Sequence, residues 1–256
     1  VQSPVTRGFM HEWAIHEAFK ELDIITTRYN FVQLSVNEKN WGCYALESHF
    51  DKILLESQGR REGPILKFNE KGVWEANLYS FDNDHYPNID IFESSVIEPF
   101  KKGRTLKDTT LKRQFNEAKN LLHMYRSGVD IEKVLDLDLW AKYYAISELF
   151  GVDHHFIWHN QRVYYNPVTN LLEPIGFDCY TNNIYWREET VLKHNEDKLN
   201  FEVGFPFLLQ NNARFREKFN EALKTTLSDT FVNNIVTRYA HLQDSIGTSL
   251  GNEFDF

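Results

Sequence analysis

The sequence predicts a two-lobed α+β protein, and two patterns along the chain support this. In the first hundred residues, short runs alternate apolar and polar residues with the period of a β-strand and are bounded by turn residues. Further on, apolar residues recur at the three- and four-residue spacing of amphipathic helices. We therefore expect an N-terminal lobe over residues 1–100 and a mostly helical C-terminal lobe over residues 101–256, with the boundary near 99–103.

The N-terminal lobe is predicted to combine a helix, a β-hairpin and a further strand. The hairpin is indicated by two alternating runs on either side of the turn-forming residues 37–40. Residues 74–99 carry Asp82-Asn83-Asp84 and Pro87-Asn88, which are typical of loops. The predicted elements are a helix over 8–22, strands over 29–36, 41–46 and 65–69, and a short helix over 47–57.

The C-terminal lobe is predicted to be built around one buried helix. Residues 135–150 are apolar on most helical faces, which is typical of a helix at the centre of a lobe. Ser228 and Asp229 offer N-cap chemistry for the last helix, and the final ten residues are expected to fray. The predicted elements are helices over 111–126, 135–150, 213–226 and 229–246, and strands over 162–165 and 171–177.

Composition excludes several classes of protein. The formal net charge of −9, with only short basic runs, argues against a nucleic-acid-binding protein. No apolar stretch is long enough to span a bilayer. The chain begins Val-Gln-Ser-Pro without an initiator Met, which indicates a processed or excised piece. Cys43 and Cys179 are too few for a disulfide framework. We expect two buried free thiols, although one pair between them remains possible.

The segment from 147 to 178 holds the strongest functional signal. Asp153 follows the predicted buried helix, Asn160 comes seven residues later, a predicted hairpin follows, and Asp178 ends its second strand. Acid, amide, hairpin and acid is the order in which a kinase-type site presents its base, its first metal ligand and its second metal ligand. No His-Arg-Asp motif occurs, and Asp-Phe-Gly appears only in reverse order, ending at Asp178. Each residue taken singly is equally compatible with a turn or capping role.

Phosphoryl transfer also needs a cation against the nucleotide phosphates, and Lys67 is the candidate. It alternates with Leu66 and Phe68 on a predicted strand, so its side chain lies on the face opposite to theirs. Glu47, at the end of the predicted hairpin, could pair with Lys67. A solvated lysine on an edge strand and a carboxylate at a helix start are the plain structural alternatives.

The histidines of the same segment allow a different hypothesis. His154, His155 and His159, together with Asp153 and Asp178, could form a transition-metal site. The apolar residues between the second and third histidine favour a buried or extended loop over the helix that would bring them together. The simpler interpretation is that the histidines hydrogen-bond the loop backbone and hold the catalytic turn.

Three blocks of the sequence resemble the spore coat protein H (CotH-like) kinase family. Residues 29–52 resemble the family's block of strand, turn, Gly-x-Tyr, Glu and Asp-Lys, and residues 61–67 resemble its Gly-x-x-x-Lys strand. Residues 148–178 resemble its helix-Asp, Asn-x-x-x-Tyr and strand-Asp block. The resemblance covers residues 5 to about 185, and the order and intervals of the blocks make it specific.

The resemblance implies an atypical protein-kinase-like fold and ATP-dependent phosphate transfer to Ser or Thr of a coat or surface protein, with Mg²⁺ or Mn²⁺. By position, Lys67 would hold the phosphates with support from Glu47, and Asp153 would face the acceptor hydroxyl. Asn160 and Asp178 would bind the metal ion. An extracytoplasmic, cell-surface or spore-coat location follows from the resemblance alone.

The chain also departs from the family pattern, which leaves an alternative open. The hairpin turn reads Asn37-Glu38-Lys39-Asn40 where the family has Asn-Gly, and Asp153 and Asn160 stand further apart than in ordinary kinases. The family's strand end reads Trp-Asp-x-Asp, whereas this chain has Asp178 for the first acid and no acid two residues later. The alternative is therefore a catalytically inactive relative that acts as a binding or assembly module of a coat or surface.

Overall fold

The computed structural model describes residues 1–71, 95–180, 209 and 211–254. These residues form an α+β structure, as the sequence predicts. Of the loop predicted over 74–99, residues 74–94 lie outside the described part of the chain, and the rest contains the strand Ile97–Pro99, which the sequence did not predict. The helices are α1 His11–Glu21, α2 Lys52–Glu56, α3 Lys102–Lys107, α4 Thr109–Arg126, α5 Leu137–Phe150, α6 Ala213–Thr226 and α7 Asp229–Gly251. The strands are β1 Ile25–Thr26, β2 Tyr29–Val36, β3 Lys39–Glu47, β4 Ile65–Phe68, β5 Ile97–Pro99, β6 Val163–Asn166 and β7 Leu171–Gly176.

The strands form a five-stranded sheet and a separate hairpin. The sheet order is β1-β7-β6-β4-β5, with β1 parallel to β7 and the other pairs antiparallel. Leu66 of β4 is in register with Val163 of β6, which pairs in turn with Pro174 of β7. The sheet therefore joins strands from both sides of the boundary expected near 99–103. The hairpin of β2 and β3 forms as predicted, but its turn is shorter than residues 37–40: it holds only Asn37 and Glu38, because Lys39 already pairs with Val36. The ladder has a register shift at Leu34 and Ser35.

Helix α5 lies in the main core, which confirms the prediction of a buried central helix. Trp140, Tyr143 and Tyr144 are at most 1% exposed, and Trp140 Nε1 donates a hydrogen bond to the Leu172 carbonyl of β7 at 3.0 Å. Asp136 caps the start of the helix by accepting from the Leu139 amide. Gly151 ends it in the left-handed conformation, with φ of 63°. This ending turns the chain into the segment that carries Asp153.

The C-terminal helix differs from its prediction. Ser228 caps α7 by accepting from the Phe231 amide, as expected, but the helix continues to Gly251 instead of ending at 246. Glu253 accepts hydrogen bonds from the Cys43 amide at 2.6 Å and from Gln33 Nε2 at 2.9 Å. The expectation of a frayed tail is therefore wrong as far as the described residues reach, because long-range contacts to the hairpin fix it.

Two further features concern the site. Strand β1 was not predicted, and its two residues place Thr26 beside Gly176 at the end of β7. Cys43 and Cys179 are both buried and free, which confirms the expectation for the thiols. No helix in the described residues is long and apolar enough to cross a membrane.

Candidate functional site

Asp178 lies at the centre of a buried polar cluster where β7 ends. Its backbone adopts φ of 57°, and its side chain is nearly buried. The guanidinium of Arg7 contacts Oδ1, and His154 Nε2 lies 3.0 Å from Oδ2. The next residue, Cys179, donates its amide to Glu12 Oε1 at 2.9 Å. The chain start and the loop after α5 thus meet at this carboxylate, and helix α1 contacts the next residue.

The surroundings keep Asp178 ionised. Burial alone would raise the pKa of its carboxyl group, but the hydrogen bond from His154 and the positive charge of Arg7 outweigh burial, so the pKa is lowered. Both carboxylate oxygens are already engaged. A cation bound at Asp178 would compete with Arg7 and His154 for these oxygens.

Asn160 and Asp178 share His154 as a neighbour. Asn160 is buried, and its Nδ2 donates to the His154 carbonyl at 3.2 Å, while the ring of the same histidine contacts Asp178. Asp153 begins the short 3₁₀ turn His154–Phe156 and remains partly exposed. Its carbonyl accepts from the Phe156 amide at 2.9 Å. The two proposed metal ligands and the proposed acceptor-facing acid thus all lie around this turn.

The three histidines of the loop do not converge on one point. His155 is fully buried, with its Nε2 2.8 Å from Ser147 Oγ of α5. Burial, followed by the charge of His154, lowers the pKa of His155 to about 3. Its carbonyl accepts from Gln161 Nε2, and the His159 carbonyl accepts from Arg162. The described geometry thus favours the loop-holding role for these histidines over a histidine metal site.

Glu47 lies with two residues of α1. Its Oε1 accepts from Thr27 Oγ1 at 2.6 Å. One ligand atom each from Glu12, His16 and Glu47 lie within 4.8 Å of one another, the one such metal-competent group in the described part of the chain. Burial raises the pKa of Glu47, and the charges of Glu12 and Asp178 raise it further against the effects of His16 and Thr27. Glu47 is therefore electrostatically coupled to Asp178.

Lys67 faces a different neighbour from the one expected. It is opposite Glu98 in the β4–β5 ladder, and its Nζ lies 5.5 Å from the centre of the Phe100 ring. Among the described residues, the polar partners of Glu47 are Thr27 and the α1 residues Glu12 and His16. The structure therefore does not pair Glu47 with Lys67.

A cavity of about 350 Å³ lies beside this cluster. The Arg162 guanidinium carbon lies 4.7 to 5.7 Å from the ring centres of Phe177, Phe100 and Phe50. Burial lowers the pKa of Arg162 to about 10, and its Nε has no hydrogen-bond partner. Phe100 connects this wall to Lys67. The lining residues are Val1, Gln2, Ala45, Glu47, Ser48, His49, Phe50, Phe100, Arg162 and Phe177.

Several residues of the site were not predicted from the sequence. Glu12 and His16 carried a local signal, since a carboxylate and an imidazole four residues apart share one face of a helix. Arg162 stands in the predicted hairpin but had no motif around it. Arg7 had no signal, because its partner Asp178 is 171 residues away in sequence. Long-range pairs of this kind become visible only when the fold is known.

The family assignment rests on nearly the whole chain. The family model described as CotH kinase protein matches residues 7–255. The chain belongs to the CotH kinase family. The match includes α6 and α7, where the sequence by itself showed no specific resemblance, and it begins at Arg7, the partner of Asp178. No curated protein matches the chain. Membership of the CotH kinase family indicates a kinase-type function for the chain.

Proposed function

We propose that this CotH family member is an ATP-dependent protein kinase that phosphorylates Ser or Thr of a coat or surface protein. One observation carries the proposal: the nearly buried Asp178 contacts the ring of His154, whose carbonyl accepts a hydrogen bond from Asn160, and the preceding residue Phe177 lines a cavity together with Arg162. In this proposal the chain is a two-lobed kinase-like molecule, with lobes over 1–100 and 101–256. A location at a cell surface or spore coat follows only from the family name.

Asp178 and Asn160 are the proposed ligands of Mg²⁺ or Mn²⁺. Their carboxylate and amide oxygens are the kind that these hard cations prefer. The position fits a cation, because Oδ1 of Asp178 is already held by the positive charge of Arg7. A bound divalent ion would neutralise charge on the transferring phosphate. In this proposal the ion competes with Arg7 for Oδ1, and a displaced guanidinium would be free to contact a phosphate oxygen.

Arg162 and Lys67 are the proposed phosphate-binding cations. The guanidinium of Arg162 is buried among three phenylalanine rings with one N–H unpartnered, and an anion in the cavity would satisfy it. Lys67 borders the same wall through Phe100. Asp153, which is partly exposed, would take the proton of the acceptor hydroxyl. The hydroxyl oxygen then bonds to the γ-phosphorus, and ADP leaves.

One observation favours the inactive binding module as a second candidate. Tyr180 stands where the family pattern has a second acid, and its ring centre lies 4.3 Å from the Arg7 guanidinium and 4.2 Å from the His154 ring centre. Arg7 and His154 contact the carboxylate of Asp178, and the Tyr180 ring packs against both. If this closed arrangement is permanent, the chain binds a partner and transfers no phosphate.

Nucleotide binding separates the two candidates. The protein is titrated with ATP alone and with Mg²⁺ or Mn²⁺, and followed by calorimetry and thermal unfolding. The kinase proposal expects stabilisation by ATP with metal and its loss in EDTA. At a ligand concentration of a hundred times Kd the gain is about 2.7 kcal/mol, which is readily measured. The absence of stabilisation at millimolar ATP with either metal would contradict the kinase proposal and favour the binding module.

A further inference from the structure

The Glu12, His16 and Glu47 group is a second polar site that the proposed kinase chemistry does not use. Glu12 and His16 lie one helical turn apart on α1 and are 0% exposed. Glu47 ends β3 and reaches them from the hairpin. Their ligand atoms lie within 4.8 Å of one another, and Glu12 Oε1 is 3.8 Å from His16 Nε2. Two ligands of a tetrahedral ion at about 2.1 Å are separated by roughly 3.4 Å, so only small movements are needed.

The hydrogen bonds around His16 fix which ring nitrogen is available. Nδ1 of His16 is bonded to Thr26 Oγ1, and that hydroxyl donates to the Gly176 carbonyl at 3.3 Å. Because the hydroxyl proton is used on the carbonyl, Nδ1 carries the ring proton, and Nε2 presents its lone pair toward Glu12. This is the arrangement by which a neighbouring acceptor orients a metal-binding histidine.

Two atoms of the group are buried and have no hydrogen-bond partner. They are His16 Nε2 and Glu12 Oε2. Burying such atoms without a partner is costly. A cation bound between the imidazole and the carboxylates would give both a partner. The carboxylates are held in place by protein groups, since the Cys179 amide donates to Glu12 Oε1 and Thr27 Oγ1 donates to Glu47 Oε1.

The surrounding charges leave room for a cation. Three carboxylates, Glu12, Glu47 and Asp178, act on one another electrostatically in this region. Arg7 Nε lies 3.7 Å from Glu12 Oε2, but its hydrogen bonds go to Gln2 and Asp178. Arg162 directs its Nη1 to backbone carbonyls. The two arginines therefore offset only part of the negative charge.

We propose that Glu12, His16 and Glu47 bind a divalent transition-metal ion, at a site distinct from Asp178 and Asn160. One imidazole and two carboxylates favour Zn²⁺ or Mn²⁺ over Mg²⁺, which prefers oxygen ligands. Three protein ligands leave a coordination position open. Glu47 also lines the cavity, so the ion places positive charge at its wall. This last role rests on the proposed kinase function, whereas the metal site itself does not.

Metal content without nucleotide tests the proposal. The whole chain is stripped with EDTA, dialysed against Zn²⁺, Mn²⁺ or Mg²⁺, and analysed by mass spectrometry and calorimetry. We expect close to one equivalent of Zn²⁺ or Mn²⁺ and at least about a tenfold preference over Mg²⁺. Glu12→Gln, His16→Gln and Glu47→Gln should each weaken binding by about a hundredfold or more. Thr26→Val, which removes the orienting hydroxyl, should weaken it by about 10- to 100-fold.

Matched controls separate this site from the others. The exposed Glu38 and His241 provide Glu38→Gln and His241→Gln, which should bind the metal like the wild type. Asp178→Asn should also keep the Zn²⁺ while losing Mg²⁺-dependent ATP binding. Failure of ATP binding with intact zinc binding would overturn the kinase function and leave the metal site standing.

Wild-type protein alone can also decide the question, should a variant not fold. Nitrogen-15 spectra of the histidine rings should show His16 Nε2 shifting on addition of Zn²⁺, with Nδ1 protonated throughout. A doubly protonated His16 ring that does not respond to metal, or wild-type protein that takes up no transition metal, would overturn the proposal.

Discussion

The guanidinium of Arg7 contacts Oδ1 of Asp178 and joins the start of the chain to the end of β7. The ring of Tyr180 lies against the same guanidinium. The charge of Asp178, the proposed metal ligand, is therefore balanced by the guanidinium of Arg7. If Asp178 binds metal as proposed, Arg7 both stabilises the folded chain and competes with the ion, and these two effects can be measured separately.

Replacing Arg7 should lower the stability of the protein and raise its affinity for Mg²⁺. Arg7→Gln leaves Asp178 and Glu12 without their nearby guanidinium, and removing one partner of a largely buried ion pair costs about 3 kcal/mol. Oδ1 of Asp178 becomes free, so Mg²⁺ should bind more tightly and restore part of the lost stability. Urea unfolding with EDTA and with Mg²⁺ measures both effects. Arg238→Gln, which removes an exposed pair with Glu21, is the control. A variant that is destabilised equally with and without Mg²⁺ would speak against metal at Asp178.

Replacing Asp178 and replacing Asp153 should impair different functions of the proposed site. Asp178→Asn should remove metal-dependent ATP binding, because it takes away the anionic oxygen of the proposed metal site. Asp153→Asn should leave ATP affinity within about twofold and reduce phosphate transfer by about 100-fold or more, because its role lies at the acceptor hydroxyl. Calorimetry gives the first quantity, and transfer to a casein-type acceptor gives the second. Wild-type ATP binding by both variants would show that the metal-ligand role of Asp178 is wrong.

Lys67 should matter for transfer and not for folding. Lys67→Met keeps the apolar stem beside Phe100 and removes the charge, so the melting temperature should barely change. Phosphate transfer should fall by about 100-fold or more if the ammonium holds phosphates. The control is Lys102→Met, which removes the exposed ion-pair partner of Glu98, the residue opposite Lys67. A folded Lys67→Met protein that transfers phosphate at the wild-type rate would remove Lys67 from the site.

His155 should make the protein less stable in mild acid. The pKa of His155 is lowered to about 3 by burial, whereas an unfolded histidine has a pKa of about 6.5. Between these values the unfolded state binds the additional proton, so stability falls as the pH drops from about 6.5 toward 3. The loss from this residue is about 2 kcal/mol between pH 7 and pH 5. Urea unfolding at the two pH values measures it.

The matched variants for this last prediction are His155→Gln and His241→Gln. His155→Gln lacks the titrating ring and should lose less stability than the wild type over the same pH interval, whatever its absolute stability. His241→Gln, at an exposed position of α7, should keep the wild-type pH dependence. Equal pH dependence in all three proteins would mean that His155 is not held neutral by burial.

The local elements were the part of the fold that the sequence determined. Strand β2 and helix α6 have their predicted limits, and the burial of α5 follows from its apolar faces. The reason is physical: alternation, helical spacing and capping residues such as Ser228 act between neighbours a few residues apart. The sequence likewise marked Asp153, Asn160 and Asp178 by their order around a predicted hairpin.

The tertiary structure alone decided what these residues touch. The two-residue strand β1 has too little pattern to be predicted, yet it places Thr26 where it orients His16. Arg7 meets Asp178, and Glu253 fixes the tail to Cys43, across most of the chain length. Such contacts depend on how elements pack and on which charges become buried together. Patterns among residues that are neighbours in sequence predict neither.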